Sequence, residues 1–132
     1  KGKIVQVRDV DSPQTVGYGA AFPVTKPSIL ATVAVGYADG ILRALGDKKD
    51  GKVWGSIGGV SVPVVGRISM DLLTVDVTEV ATDAAHPGAW VDLIGGDAMS
   101  LEDAAAAAAT IPYEILTSMG ARYHRQYVGG AD

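Results

Sequence analysis

"KVWGSIGGVSVPVVGRI", residues 52–68, decides the fold. Two short runs rich in β-branched residues flank Gly58-Gly59. A glycine pair tolerates the positive φ angles of a tight turn, so the stretch reads as an antiparallel β-hairpin. The same grammar extends outward on both sides. "KIVQVRDV" (3–10) alternates apolar and polar residues and is turned by "DSP". "TVGYGAAF" (15–22) reads as a second strand, "PVTKP" (23–27) as a loop between two prolines, and "SILATVAVGY" (28–37) as the third and most apolar strand. "LGDKKDG" (45–51) is a polar turn. Beyond the hairpin, "LLTVDVTEV" (72–80) alternates again, and "AWVDLI" (89–94) lies between the turns "HPG" and "GGD". Strands this short at this spacing predict a mainly β fold, a compact antiparallel barrel or sandwich-like domain.

One or two short helices are expected near the C-terminus. "SLEDAAAAAAT" (100–110) offers Ser100 as N-cap, Asp103 three residues later, and acidic residues that suit the first turn. Its alanines favour helix and lie close to a sheet, and Pro112 is expected to stop it. "YEILTSM" (113–119) predicts a second helix ending at Gly120, "RYHRQYV" (122–128) a last strand, and "GGAD" a loose tail.

The chain of 132 residues, 48% hydrophobic, suffices for one domain with a core, with no linker or repeat, so residues 1–132 read as one unit. Lys1 opens it almost inside a strand pattern, which reads as a domain cut from a longer chain. No apolar run is long enough to span a membrane. The net charge of -4, without a dense basic cluster, gives no footing for nucleic acid. Cysteine is absent, which excludes disulfides and thiolate zinc sites and fits a reducing compartment. His86 and His124 lack partners at metal-ligand spacing, so no metal site is expected. No nucleophile elbow or phosphate loop is present.

Two stretches remain for chemistry. In "VGYADG" (35–40) a tyrosine stands at the rim of a strand, beside glycine, where the chain is about to turn. In "VGRISMD" (65–71) Gly66-Arg67 interrupts a strand, and glycine there marks a bulge or a close approach of another backbone or ligand. Asp71 either accepts from a neighbouring backbone N–H or pairs with Arg67; from composition alone an ion pair in a turn is the simpler reading.

Taken together and in order, "VGYGAAF", "ILATVAVGYADGILRAL", "VPVVGRISMDLLTVDVT" and "YEILTSMGARYHRQYV" resemble the C-terminal domain of bacterial alanine racemases, from about Lys3 to Val128. The resemblance implies a cytoplasmic isomerase that uses pyridoxal 5'-phosphate to interconvert L- and D-alanine, supplying D-alanine for peptidoglycan. It implies an N-terminal (β/α) barrel holding the cofactor lysine and most phosphate contacts, and a homodimer whose sites are shared between subunits. It casts Tyr37 as the catalytic tyrosine, Met70 as the residue whose backbone N–H helps hold the substrate carboxylate, and Arg67 and Asp71 as residues lining the approach to the cofactor. A racemase needs a base on each side of a planar, deprotonated α-carbon. The resemblance gives one side to the barrel's lysine and the other to Tyr37, reaching across the dimer interface.

An ordinary phenol titrates near ~10, and lowering that by ~3 units takes roughly 4 kcal/mol. A cation, Arg or His, supplied by the barrel is the expected source. Lys1, Lys3, Lys26, Lys48, Lys49 and Lys52 match no Schiff-base position, so the chain alone is expected to be inactive, to hold no cofactor stably and to self-associate through exposed apolar surface. The family's phosphate-contacting tyrosine aligns with Ala121, which has no hydroxyl. Three alternatives stay open: a related decarboxylase, disfavoured because its catalytic cysteine is missing, a racemase of broader specificity, and a non-catalytic β-barrel binding module.

Overall fold

The computed structural model describes residues 1–11, 14–16, 22–24, 26–48 and 53–130, with the backbone alone for 14–16 and 22–24. Eight strands are present among them: β1 (Gly2–Val10), β2 (Gln14–Val16), β3 (Phe22–Val24), β4 (Ser28–Val33), β5 (Trp54–Ile57), β6 (Val60–Val65), β7 (Leu73–Asp76) and β8 (Trp90–Val91). Two helices follow, α1 (Leu101–Ala107) and α2 (Pro112–Thr117). β2 and β3 form a separate antiparallel ribbon. Pro23 and Val24 belong to β3, so the loop expected over 23–27 begins later; residues 17–21 of the expected second strand and 49–51 of the expected polar turn lie outside the described residues.

The other six strands run in the order β5-β6-β7-β4-β1-β8. Reciprocal bonds of 2.8 Å between Ser56 and Asp92, just past β8, join the two ends of this sheet. Closure makes it a barrel rather than a sandwich and leaves no long free edge. Gly58 and Gly59 take φ of 56° and 84°, the conformation of a type I′ hairpin, so the glycine pair between β5 and β6 does what its sequence requires. Ile4, Val33, Val62, Val75 and Val91, one set of inward-facing positions along successive strands, form the buried interior.

Strand ends differ from the sequence expectation. β4 stops at Val33, so Gly36 and Tyr37 lie beyond the strand, and the last strand pattern, 122–128, has no regular structure. Among the described residues, 122–128 pair with no strand, and the two ends of the six-stranded sheet are joined to each other through Ser56 and Asp92. Ser100 caps α1 as expected, accepting the Asp103 N–H at 3.0 Å. The helix ends before Pro112, because Ala109 turns left-handed (φ 56°) and Thr110 N–H bonds back to the Ala105 carbonyl. Pro112 instead begins α2, where its missing N–H costs nothing. Ala104 and Ala105 are buried, which shows why the alanine run suits a helix laid close against the barrel. No described helix is long and apolar enough to cross a membrane.

The topology brings the two unexplained motifs together. β4 and β6 are each antiparallel to β7, so they run parallel and leave the barrel at the same end. "GYADG" follows one exit and "GRISMD" the other.

Candidate functional site at the barrel rim

After β4 the chain folds into a 3-10 turn, Tyr37–Asp39, closed by Gly40 at φ 92°. Asp39 is buried and reaches back to accept the Gly36 N–H at 3.0 Å. After β6, Gly66 (φ 75°) redirects the chain into the loop that carries Met70 and Asp71. Ser69 holds that loop by exchanging hydrogen bonds with the Leu72 backbone through its hydroxyl. The two segments then pair: Tyr37 N–H donates to the Ser69 carbonyl at 3.1 Å and Ala38 N–H to the Met70 carbonyl at 3.0 Å. Gly36 permits this, since a Cβ there would strike the carbonyl groups of Ser69 and Met70.

A shallow concavity of about 380 Å³ lies over this junction, lined by Tyr37, Arg43, Ser69, Met70 and Asp71. Tyr37 is 45% exposed, and its hydroxyl has no hydrogen-bond partner among the described residues. Met70 is also exposed, and its backbone N–H donates to no acceptor among the described residues. The structure thus gathers Tyr37, Met70 and Asp71 on one surface. Arg67 faces elsewhere: among the described residues its nearest acidic partner is Asp47, at 4.0 Å, and it does not line the concavity. The Arg67–Asp71 pairing considered from sequence is replaced by another. Asp71 accepts from Arg122 at 2.8 Å, across 51 residues, because Gly66 and the loop after it turn Asp71 toward the C-terminal segment.

Arg122 also donates twice to Asp39, through Nε and one terminal nitrogen, both at 2.8 Å. This guanidinium is the first cause holding the Asp39 carboxyl below its usual range, with the Gly36 N–H adding to it against the opposing effect of burial. The sign follows: unfolded chains bind the Asp39 proton more tightly than folded ones. Its contribution is complete above the ordinary carboxylate value of about 3.9 and is lost as pH falls through the lower folded value. Acid titration followed by backbone amide signals should therefore loosen the Tyr37 turn below about pH 4, and Asp39→Asn should abolish that step. Tyr123, the other aromatic nearby, is pushed up by burial, then by Asp39, and its hydroxyl contacts Met119 Sδ at 3.6 Å. It is a neutral packing residue.

Asp39, Arg43, Ser69 and Arg122 escaped the sequence reading. Asp39 carried a signal, an acidic residue three positions after a glycine in a turn, where its carboxylate caps an N–H. Arg122 carried none.

Residues 1–127 match the family model described as "Alanine racemase, C-terminal domain". The chain belongs to that family. Alanine racemase of Rhodospirillum rubrum is 52% identical over 129 residues, 98% of this chain and 33% of that protein. A crystal structure of alanine racemase from Bartonella henselae with covalently bound pyridoxal phosphate aligns with a TM-score of 0.84 at 41% identity, over 96% of this chain and 33% of that one. Biosynthetic alanine racemase from Pseudomonas aeruginosa aligns with a TM-score of 0.82 at 33% identity, over 97% and 34%. The chain therefore spans about a third of the length of the relatives it matches.

As an alanine racemase C-terminal domain, its donor set is one-sided. The Tyr37 hydroxyl, the Arg43 guanidinium and the Met70 N–H all belong to residues lining the concavity, a donor set suited to an anionic group. Among the described residues no lysine lines the concavity.

Proposed function

We propose that the whole protein containing this domain is a cytoplasmic, dimeric alanine racemase that supplies D-alanine to the cell wall, with Tyr37 as the base on one face of the substrate α-carbon, reaching it across the subunit interface. Pyridoxal phosphate, when bound, supplies delocalisation of the negative charge left on the α-carbon. The observation that carries the reading is the placement of Tyr37: a half-exposed phenol whose hydroxyl has no partner among the described residues, on a turn braced by backbone bonds, at an open concavity. Tyr37 removes or returns the α-proton through its hydroxyl oxygen. The Met70 N–H holds the substrate carboxylate, and Arg43 adds positive potential at the mouth. Exposed Ile111, Tyr113, Leu116, Tyr127 and Val128 support a further surface that the rest of the chain or a second subunit covers.

The direct test is polarimetry of alanine, serine and lysine with the full-length protein and cofactor. Conversion of both alanine enantiomers, faster than of the other two amino acids, is expected; no alanine conversion overturns the reading. Sharing of the site is tested by mixing Tyr37→Phe protein with protein whose cofactor lysine is replaced. Subunit exchange should restore activity in hybrid dimers, and no recovery removes the cross-subunit role.

Met70 separates backbone from side chain. Met70→Leu keeps the N–H and should leave KM for alanine within about twofold. Met70→Pro deletes the donor. Losing one charge-assisted hydrogen bond, about 1.5–3 kcal/mol, raises KM by about 10- to 100-fold. Initial-rate kinetics check both.

A further inference from the structure

The C-terminal segment ends in no strand, yet it is not incidental to the site. α2 finishes directly against the Tyr37 turn: a Cβ on Gly40 would meet the backbone of Ser118 and Met119. That contact sets where the chain emerges, and Arg122 leaves it pointing into the junction of the two motifs. All three guanidinium nitrogens are engaged, two on Asp39 and one on Asp71, each at 2.8 Å. Asp39 closes the turn that bears Tyr37, and Asp71 directly follows Met70.

We propose that Arg122 is a positioning residue for proton transfer: its planar fork locks the Tyr37 turn to the Met70 loop and so fixes the Tyr37 hydroxyl over the α-carbon. The inference rests on the reading of Tyr37 as the base. Two backbone bonds join the segments on one side, and the guanidinium joins them on the other, so the pair cannot hinge. Without the cation, the two carboxylates would face each other with like charge. Lysine keeps the charge but not the geometry, because an ammonium has no planar fork to grip both oxygens of Asp39 while reaching Asp71. A displacement of the phenol by about 1 Å is enough to cost roughly 100-fold in rate.

The test uses the full-length holoenzyme with Arg122→Lys, and Asp71→Asn as a milder variant that weakens only the exposed arm by removing its charge. Arg122→Lys should lower kcat by about 10- to 100-fold. The α-deuterium isotope effect should rise for the enantiomer whose α-proton Tyr37 removes and fall for the other, because in that direction Tyr37 returns the proton and its slowed step masks the opposite abstraction. A merely structural defect reduces the amount of active enzyme and moves neither isotope effect. Independently of turnover, hydrogen exchange read by mass spectrometry should quicken over residues 36–41 and 69–72 in Arg122→Lys and over 69–72 in Asp71→Asn, with β1 and β4 unchanged. Arg122→Lys with kcat within about twofold of wild type, or unaltered exchange at both segments, overturns the clamp. If Arg122→Lys does not fold, the exchange of Asp71→Asn decides. Wild-type protein that fails to racemise alanine sinks the functional reading instead, and the exchange pattern still judges the clamp on its own.

Discussion

Tyr37→Phe in the full-length protein is expected to slow alanine racemisation by about 100- to 10,000-fold, the range over which a positioned general base contributes. The substitution removes one oxygen and little else. The Tyr37 N–H keeps its bond to the Ser69 carbonyl, the ring keeps its place, and the hydroxyl leaves no protein partner unpaired among the described residues. Stability should change by no more than about 0.5 kcal/mol, as for other surface substitutions that break no bond. Loss of rate with an unchanged melting curve therefore isolates the chemistry from the fold. Circular dichroism of alanine in both directions measures it. Rates within about threefold of wild type in both directions would sink the assignment of Tyr37 as base.

Gly36→Ala carries the second large effect, and its cause is steric rather than conformational. Gly36 has φ -154°, extended backbone open to any residue. The Cβ, however, would drive into the Ser69 and Met70 carbonyl groups, which are backbone and cannot rotate aside. Relief requires separating the two segments, which breaks the bonds from Tyr37 N–H and Ala38 N–H. Overpacking of about 1–3 kcal/mol together with two hydrogen bonds near 1 kcal/mol each gives a loss of about 3–5 kcal/mol. Activity should fall with it, because Tyr37 moves with the turn. Gly58→Ala is the contrast. Nothing lies within 4 Å of its Cβ, and the strain comes only from its φ of 56°, so the cost should be about 1–2 kcal/mol without loss of rate. Denaturant midpoints for the two variants test the difference; equal losses would show that the Gly36 contact is not what matters.

Much of the barrel was legible because its signals are local. Alternation named β1, β6 and β7, and the Gly58-Gly59 pair named the β5–β6 turn. Ser100 named the start of α1. The motifs around Tyr37 and Met70 marked two segments that meet at one concavity, although the pattern places Tyr37 at a strand end where the structure has a 3-10 turn. Errors fell where a distant event overrode a local one. The 122–128 pattern suited a strand, but the segment pairs with no described strand, and Ser56 and Asp92 join the ends of the six-stranded sheet. Pro112 reads as a stop and acts as a start, because Ala109 had already ended α1.

The amino-acid order alone determined that this chain is a set of short antiparallel strands with two glycine-bearing rim segments, since side-chain period and turn chemistry act over a few residues. Tertiary structure decided that those segments touch, that Arg67 turns to Asp47, and that Arg122 holds Asp39 and Asp71 from 83 and 51 residues away. An ion pair between distant residues leaves no trace in spacing. It exists only once the barrel has set β4 and β6 on either side of β7, leaving at the same end.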